Sequence, residues 1–489
     1  MGTSPPRYAG PPKPPGPLTR LFHWLDRRAA IDQLLRVALA EPIPGGASWA
    51  YIFGSGLLFL FLSQVITGVF LALYYVPSAD HAHVSVAYMV KSVAAGSFLR
   101  SIHAYGASAV VIVLLLHMTQ TFTWGAYKGR RELLWLVGLL LFCLMAGMAF
   151  TGYLLPWDQN AYFATTVGTN LITEIPWIGQ GLNELLRGGT GMGTLTVSRF
   201  FVIHVFFLPA LIFFFIAVHV YLFRKAGAAG PTSEDPLAPR QPVELFYPRQ
   251  LDMDLAFTFL IILALGLLSV FRPYSLGPAA NPAYTQYLPR PEWYYRPVFE
   301  MLKYFPGSLE VVGILVIPGV IFALLILAPF LDTSPERRPW KRPLAMGLYS
   351  AVLLGMMALG YLSFWQDSHT PAIAKQLQKQ NQEIAAYMRA PFKPQVIGAT
   401  PAAAPSANPL VTQGRTVFTG QGCNSCHGDN GAGTSLAPSL AGIGSKFPPD
   451  KLAGIIRKPT PAMTAAGMPA FSLSDTQMKA LVVYLDSLK

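Results

Sequence analysis

Charge is what this sequence has least of. Asp, Glu, Lys and Arg make up 12% of its 489 residues, about half the roughly 25% of an ordinary soluble domain. That shortage argues against a soluble enzyme. A disordered chain is excluded as well, because disorder needs low hydrophobicity, and 52% of these residues are hydrophobic. Negative charge is the scarcer sign, with 24 Asp and Glu against 36 Lys and Arg. Cysteine is scarce too: there are three, so no disulfide framework carries the fold. What the chain does have is long apolar runs, 12% aromatic residues and a mean hydropathy of +0.41. This composition describes a polytopic membrane protein. Its net charge of +12 then reads as positive loops rather than as a nucleic-acid surface.

Residues 1–20 form a basic, Pro-rich arm without the apolar stretch of a secretory signal. Residues 20–40 repeat their apolar positions at helical spacing with Arg27, Arg28 and Arg36 between them, which predicts an amphipathic helix on the membrane surface. Seven apolar stretches follow, near 49–75, 99–124, 133–155, 200–223, 255–271, 311–330 and 344–364. Each is close to the ~20 residues that cross a bilayer. A Gly-rich segment at 166–187 between the third and fourth predicts one or two short surface helices.

The basic residues cluster in the N-terminal arm and in three loops. These contain Lys128, Arg130 and Arg131; Arg224, Lys225, Arg240 and Arg249; and Arg337, Arg338, Lys341 and Arg342. All four segments share one side of the membrane if the N-terminus is cytoplasmic, as positive loops require. Seven spans then put everything after residue 364 on the periplasmic side of a bacterial inner membrane. The expected organisation is an arm (1–20), a membrane domain (21–364), a Pro/Ala-rich extended linker (365–409) and a small C-terminal domain (410–489). The fold class is all-α: a polytopic membrane bundle of about seven helices plus a small all-α domain.

The small domain carries Cys423-Asn424-Ser425-Cys426-His427. Cys-x-x-Cys-His is the attachment signature of a c-type haem, with two thiols for the porphyrin and His427 as one axial ligand. The opposite ligand is expected downstream. Met468, between Gly467 and Pro469 just before the terminal helical pattern, is the first candidate, and Met463 competes with it. A periplasmic position suits such a haem.

Four histidines lie in the apolar spans. His103 and His117 are 14 residues apart on the second, and His204 and His219 are 15 apart on the fourth. Fourteen residues is close to four helical turns, about 21 Å, so each pair presents two imidazoles on one helix face. Two facing helices then offer two bis-histidine sites stacked across the bilayer, each suited to a haem. Pro209 can kink the fourth span and absorb its extra residue. Gly54 and Gly68 on the first span, and Gly138 and Gly152 on the third, repeat the 14-residue interval, as though a flat macrocycle approached the backbone there. Cys143 is expected to be a small buried apolar residue.

Two further strings complete the pattern: Gly152-Tyr153-Leu154-Leu155-Pro156-Trp157 and Pro291-Glu292-Trp293-Tyr294. With the spaced histidines, they make residues 21–364 resemble cytochrome b of the quinol–cytochrome c oxidoreductases (cytochrome bc complexes), fused to a C-terminal class I cytochrome c. The resemblance implies that His103 with His204 holds a periplasmic-side, low-potential haem b. It pairs His117 with His219 on a cytoplasmic-side, high-potential haem b. Arg100 would pair with a haem propionate. Pro291, Glu292, Trp293 and Tyr294 would form the quinol-oxidation site, with Tyr153 a hydrogen-bonding neighbour. The His204–His219 spacing and the string PEWYYRPVFEML resemble the b–f branch, whose extra covalent haem sits on a first-span cysteine; Ile52 stands at that position, so no covalent third haem is expected.

The implied mechanism is a Q cycle. Quinol gives one electron to a Rieske iron–sulfur protein and the other through both b haems to a quinone on the cytoplasmic side, translocating protons. Asp254 and Lys225 are candidates for proton entry there. The Rieske electron would reach the fused haem c and then a soluble or membrane cytochrome c-type acceptor. No Rieske motif occurs in the chain, so that partner is a separate subunit, and the complex is expected to be a homodimer. Competing readings are a di-haem b membrane anchor of a dehydrogenase and a membrane-tethered cytochrome c carrier.

Overall fold

A computed structural model of the chain describes residues 16–189, 191–230, 243–282, 284, 286–393, 408–428, 431–433, 437–465 and 468–488. The N-terminal arm before residue 16, Arg240, Gly467 and residues 394–407 lie outside the described residues. Two short helices open the fold: α1 (Pro17–Ala29) and α2 (Ile31–Leu39). The single amphipathic helix expected over 20–40 is therefore broken. Ala30 takes a left-handed conformation (φ 49°), and Arg27 and Arg28 end α1, where cations suit the helix dipole.

The membrane domain contains α3 (Ile52–Ala72), α4 (Ala82–Lys91), α5 (Gly96–Thr123), α6 (Glu132–Leu154), α7 (Gln159–Thr173), α8 (Gly179–Arg187), α9 (Thr194–Val202), α10 (Leu208–Ala226), α11 (Leu251–Phe271), α12 (Arg296–Leu302), α13 (Ile317–Leu331) and α14 (Pro343–His369). Among the described residues, seven segments are long and apolar enough to cross a membrane. They match the seven sequence stretches, because uninterrupted apolar runs satisfy their backbone only as helices in lipid. Outward residues such as Leu58, Leu62, Ile66 and Val69 on α3 are exposed, the face a lipid-embedded helix presents. Cys143 also lies on an exposed face of α6, so it is not the buried residue the sequence suggested. The helices that bear the histidine pairs pack against glycine-bearing neighbours, α5 on α3 and α10 on α6.

Between α9 and α10 the chain makes a π-turn, Ile203–Phe207, with Leu208 N–H donating to the Ile203 carbonyl. A π-turn inserts one residue without ending the helix. This, and not a proline kink, absorbs the fifteenth residue between His204 and His219. Pro209 sits just after the turn, where its missing N–H costs least.

The basic loops meet at one end of the bundle. Arg131 donates to Ala226 O at 3.1 Å, and Arg337 to Trp124 O at 3.0 Å and Gly230 O at 2.8 Å. Arg224 pairs with Glu41 at 2.7 Å. Lys128 and Arg342 share Asp332 at 2.5 and 3.2 Å; burial works against that carboxylate's charge, but their hydrogen bonds prevail and hold its pKa low. A two-stranded pair, β1 (Pro42–Pro44) with antiparallel β2 (Val243–Leu245), ties the chain before α3 to the chain before α11. The basic loops of one end are thus locked together by ion pairs and carbonyl contacts.

At the opposite end lie α4, α7, α8 and the long loop 272–295. The Gly-rich stretch forms α7 and α8, with Arg187 buried and donating to Thr169, Asn170 and the Thr166 carbonyl. Residues 365–409, expected as an extended linker, begin helically. After α14 comes α15 (Pro371–Arg389), which lies across loop 272–295. Gln380 brackets Leu288 like a strand partner, accepting from its N–H at 2.9 Å and donating to its carbonyl at 3.1 Å. Lys91 donates to the Tyr387 and Ala390 carbonyls at the end of α15. Buried amide contacts, invisible to composition, made this stretch part of the membrane domain.

The C-terminal domain comprises α16 (Pro409–Gly420), α17 (Cys423–His427), α18 (Ile443–Lys446), α19 (Pro449–Arg457), α20 (Pro461–Ala465) and α21 (Asp475–Asp486). Val417, Phe418, Leu452, Ile456, Met478, Leu481 and Leu485 form its core. Helices α16 and α21 cross so closely that a Cβ on Gly414 would lie 2.0 Å from the Ala480 carbonyl oxygen. Only glycine fits that crossing.

Candidate functional site

The four histidines form two levels. His103 on α5 faces His204, with ring centroids 6.3 Å apart and planes at 78°. That spacing is the one a single metal ion held between the two imidazoles would need, with about 2.0–2.1 Å from metal to nitrogen on each side. His103 Nδ1 lies 3.0 Å from the Thr67 hydroxyl, and His204 Nδ1 lies 3.2 Å from the Thr151 hydroxyl and 3.1 Å from the Met148 carbonyl. With Nδ1 engaged, Nε2 is the nitrogen left for a metal. The second level brings His117 and His219 into electrostatic contact.

Each of the four glycines faces one histidine. A Cβ would lie 3.2 Å from His103 Cε1 at Gly68, 2.5 Å from His204 Cε1 at Gly152, 3.3 Å from His219 Cε1 at Gly138 and 3.9 Å from His117 Cε1 at Gly54. In this structure the glycines make room for the imidazole rings, a closer role than the expected approach of a macrocycle. Thr67 and Thr151 each directly precede one of these glycines; the repeated Thr-Gly was the signal for them, and the spacing argument passed over it.

Above the His103/His204 level runs the loop with Glu292. Its carboxylate accepts a hydrogen bond from the Tyr274 hydroxyl. Burial raises the Glu292 carboxyl above the usual carboxylate range, while the Tyr274 bond and the Arg296 charge pull it back. Tyr274 is held by Arg100, which donates to the Tyr274 and Ser275 carbonyls at 2.8 and 3.1 Å and lies over the Tyr274 ring. Arg100, expected on a propionate, here anchors the start of the loop, because two carbonyls converge on its fork. Tyr274, 18 residues from Glu292 in a Pro/Tyr-rich loop, carried no local sequence signal.

Tyr153 meets the same loop from α6, though not through Glu292 itself. Its hydroxyl donates to the Arg290 carbonyl at 3.2 Å and accepts from Asn160. Asn160 in turn accepts from Arg290 N–H at 3.2 Å, so Tyr153 and Asn160 fix the residue before Pro291. Trp293 donates to Ser108 at 3.3 Å and packs edge-on against Tyr294. At the other end, Asp254 is buried and accepts from Gln250 at 2.9 Å. It also meets Ser55, the neighbour of Gly54. Lys225 stands 6.0 Å from the Tyr221 ring. Ile52 is buried at the start of α3.

In the small domain Cys423 and Cys426 lie on one helical turn and are not joined in a disulfide. His427 Nδ1 lies 3.0 Å from the Pro438 carbonyl, which again leaves Nε2 for a metal. Met468 N–H donates to the Met463 carbonyl at 2.9 Å, which holds the two candidate methionines close together.

Comparison with known proteins agrees with this layout. Residues 39–227 match the family described as cytochrome b/b6/petB, 279–379 the family cytochrome b(C-terminal)/b6/petD, and 411–489 cytochrome c. "Cytochrome b/c1" of Bradyrhizobium diazoefficiens is 34% identical over 71% of this chain and 50% of its own length; the chain thus spans about half of that relative. Cytochrome b of Cereibacter sphaeroides is 32% identical over 67% of this chain and 79% of its own. The "menaquinol:cytochrome c reductase cytochrome b subunit" of Bacillus subtilis is 41% identical over 44% of this chain and 99% of its own. A solved chain of "hyperthermophilic respiratory Complex III" superposes with a TM-score of 0.64 at 28% identity, covering 75% of this chain and 96% of that one. The chain belongs to the cytochrome b family, with the N- and C-terminal parts of cytochrome b continuous in one polypeptide and a cytochrome c domain at its C-terminus.

Proposed function

We propose that this chain is the cytochrome b subunit of a quinol:cytochrome c oxidoreductase that carries its own cytochrome c. The observation that bears most weight is the continuous contact from Glu292 to Tyr274 to Arg100, three residues before His103 on the same helix. A proton-accepting carboxylate is thereby held at the level of one histidine pair.

His103 with His204 and His117 with His219 would hold two haems b, and His427 with Met468, or Met463 in its place, one haem c bound through Cys423 and Cys426. When bound, these haems supply one-electron acceptors at fixed places along the chain. The protein's own part is to bind and deprotonate quinol. Glu292, raised by burial, accepts a proton nearer neutral pH than a surface carboxylate does. Tyr274 orients that carboxylate, and Tyr153 with Asn160 fixes the backbone before Pro291. Tyr294 and half-exposed Trp293 supply aromatic walls. Asp254 is the candidate for proton uptake at the opposite end. Its burial between Gln250 and Ser55 favours it over Lys225. The expected partners are a separate Rieske subunit, quinone, a cytochrome c-type acceptor and a second copy of the chain. The N-terminus lies in the cytoplasm and the cytochrome c domain in the periplasm.

Two measurements test the reading. Pyridine haemochrome analysis of the purified complex should give two haems b per haem c; a b:c ratio near zero would leave a tethered cytochrome c. Glu292→Gln should slow quinol-driven reduction of haem c by about 10²–10⁴-fold, and an unchanged rate would point to a di-haem anchor.

A further inference from the structure

The turn that carries Glu292 is bracketed by two arginines, and both end on one carboxylate. Asp367, near the end of α14, takes Arg290 Nε on its two oxygens at 2.9 and 3.0 Å and Arg290 Nη2 at 2.8 Å. Arg296 Nη1 reaches the other side of the same carboxylate at 2.5 Å. Arg296 and Asp367 are both buried, each 9% exposed. Removing one member of such a set leaves uncompensated charge in a poorly solvated place. Residues 291–295 thus hang between two points fixed to one atom group on another helix.

We propose that Asp367 is a positioning residue for quinol oxidation. Its carboxylate clamps both ends of the Glu292 turn and offsets the Arg296 charge that faces Glu292. The inference rests on the assignment of Glu292 to the quinol site. The groups around Glu292 are few. Tyr274 comes from the start of the loop, Tyr294 lies beside it and Arg296 acts from α12. Tyr153 acts from α6, itself influenced by Asp158, and Arg100 of α5 stands behind Tyr274. Farther along α12, Glu300 and Lys303 pair at 2.6 Å and add no net charge. Asp367 is therefore the anion that tempers Arg296.

The sign follows directly. Without the Asp367 charge, Arg296 acts on Glu292 with a stronger positive field and favours its ionised form. In the purified complex, with decylubiquinol as the probe, Asp367→Asn should move the acid limb of the kcat/KM–pH profile to lower pH. Arg296→Gln should move it to higher pH, and Asp367→Glu should restore the wild-type profile. A uniform loss of rate at every pH, or no change, in Asp367→Asn overturns the proposal. Should that variant fail to assemble, judged by its b-haem absorbance, the double variant Asp367→Asn with Arg296→Gln is compared with Arg296→Gln: a limb at lower pH in the double variant supports the clamp, and coincident limbs refute it. Glu292→Gln separates the two levels of argument. If it leaves the rate unchanged, the site assignment falls; if it abolishes the rate while the Asp367 profile stays put, only the clamp falls.

Discussion

Gly152 and Gly54 occupy matching places opposite histidines, yet they do not tolerate the same change. A methyl at Gly152 would stand 2.5 Å from His204 Cε1, well inside contact, whereas one at Gly54 would stand 3.9 Å from His117, at ordinary packing distance. Gly152→Ala should displace the His204 ring and lower the b-haem content at the His103/His204 level, while Gly54→Ala should keep both haems. Reduced-minus-oxidised spectra of the two variants check this, and equal haem content in both would contradict it. The same scale shows what the sequence made legible. Residues that repeat along one helix, such as the four histidines and four glycines, declare themselves by spacing. Tyr274, Asn160 and Asp367 do not, because the contacts that place them at the site reach 18 or more residues along the chain and depend on how loop 272–295 folds.

Among the helices, the π-turn at Ile203–Phe207 is the element on which the site's register depends. It lets fifteen residues span the distance that fourteen span on α5. Deleting Phe206, which is 75% exposed on the outer face, should restore plain α-helix with the fourteen-residue spacing of His103 and His117, and so leave His204 and His219 on the faces they now occupy. Both b haems should then be retained in the purified complex, whereas deleting a residue from the plain α-helical stretch of α10 between the histidines should cost one; loss of a haem on deleting Phe206 would show that the turn does not set the register. Seven spans were readable from hydropathy alone, since a bilayer leaves a 20-residue apolar run little choice. The role of α15 was not. Its sequence is polar and follows the last span, and its contacts, the bracket between Gln380 and Leu288 and the bonds from Lys91, reveal that it belongs to the membrane domain.

Taken whole, the molecule separates two jobs. The end with the basic loops is fastened by ion pairs and carbonyl contacts, and the opposite end carries Glu292 beneath α15. Ending the chain after Lys393 should leave both b haems and quinol binding intact while removing haem c. Haem staining and b-haem spectra of the truncated complex test this; loss of the b haems would mean that the C-terminal domain is needed for the bundle. The attachment point of that domain carries a further consequence. Helix α15 ends at Arg389, with Met388 accepting from Leu276 N–H of the loop that bears Glu292, and residues 390–408 can span at most roughly 65 Å. On the proposed reading, the tether confines the cytochrome c domain to a small volume around its electron donor, so their encounter is intramolecular within the complex. Dilution of the complex and added salt, which weaken the encounter of two separate proteins, then leave this transfer almost untouched.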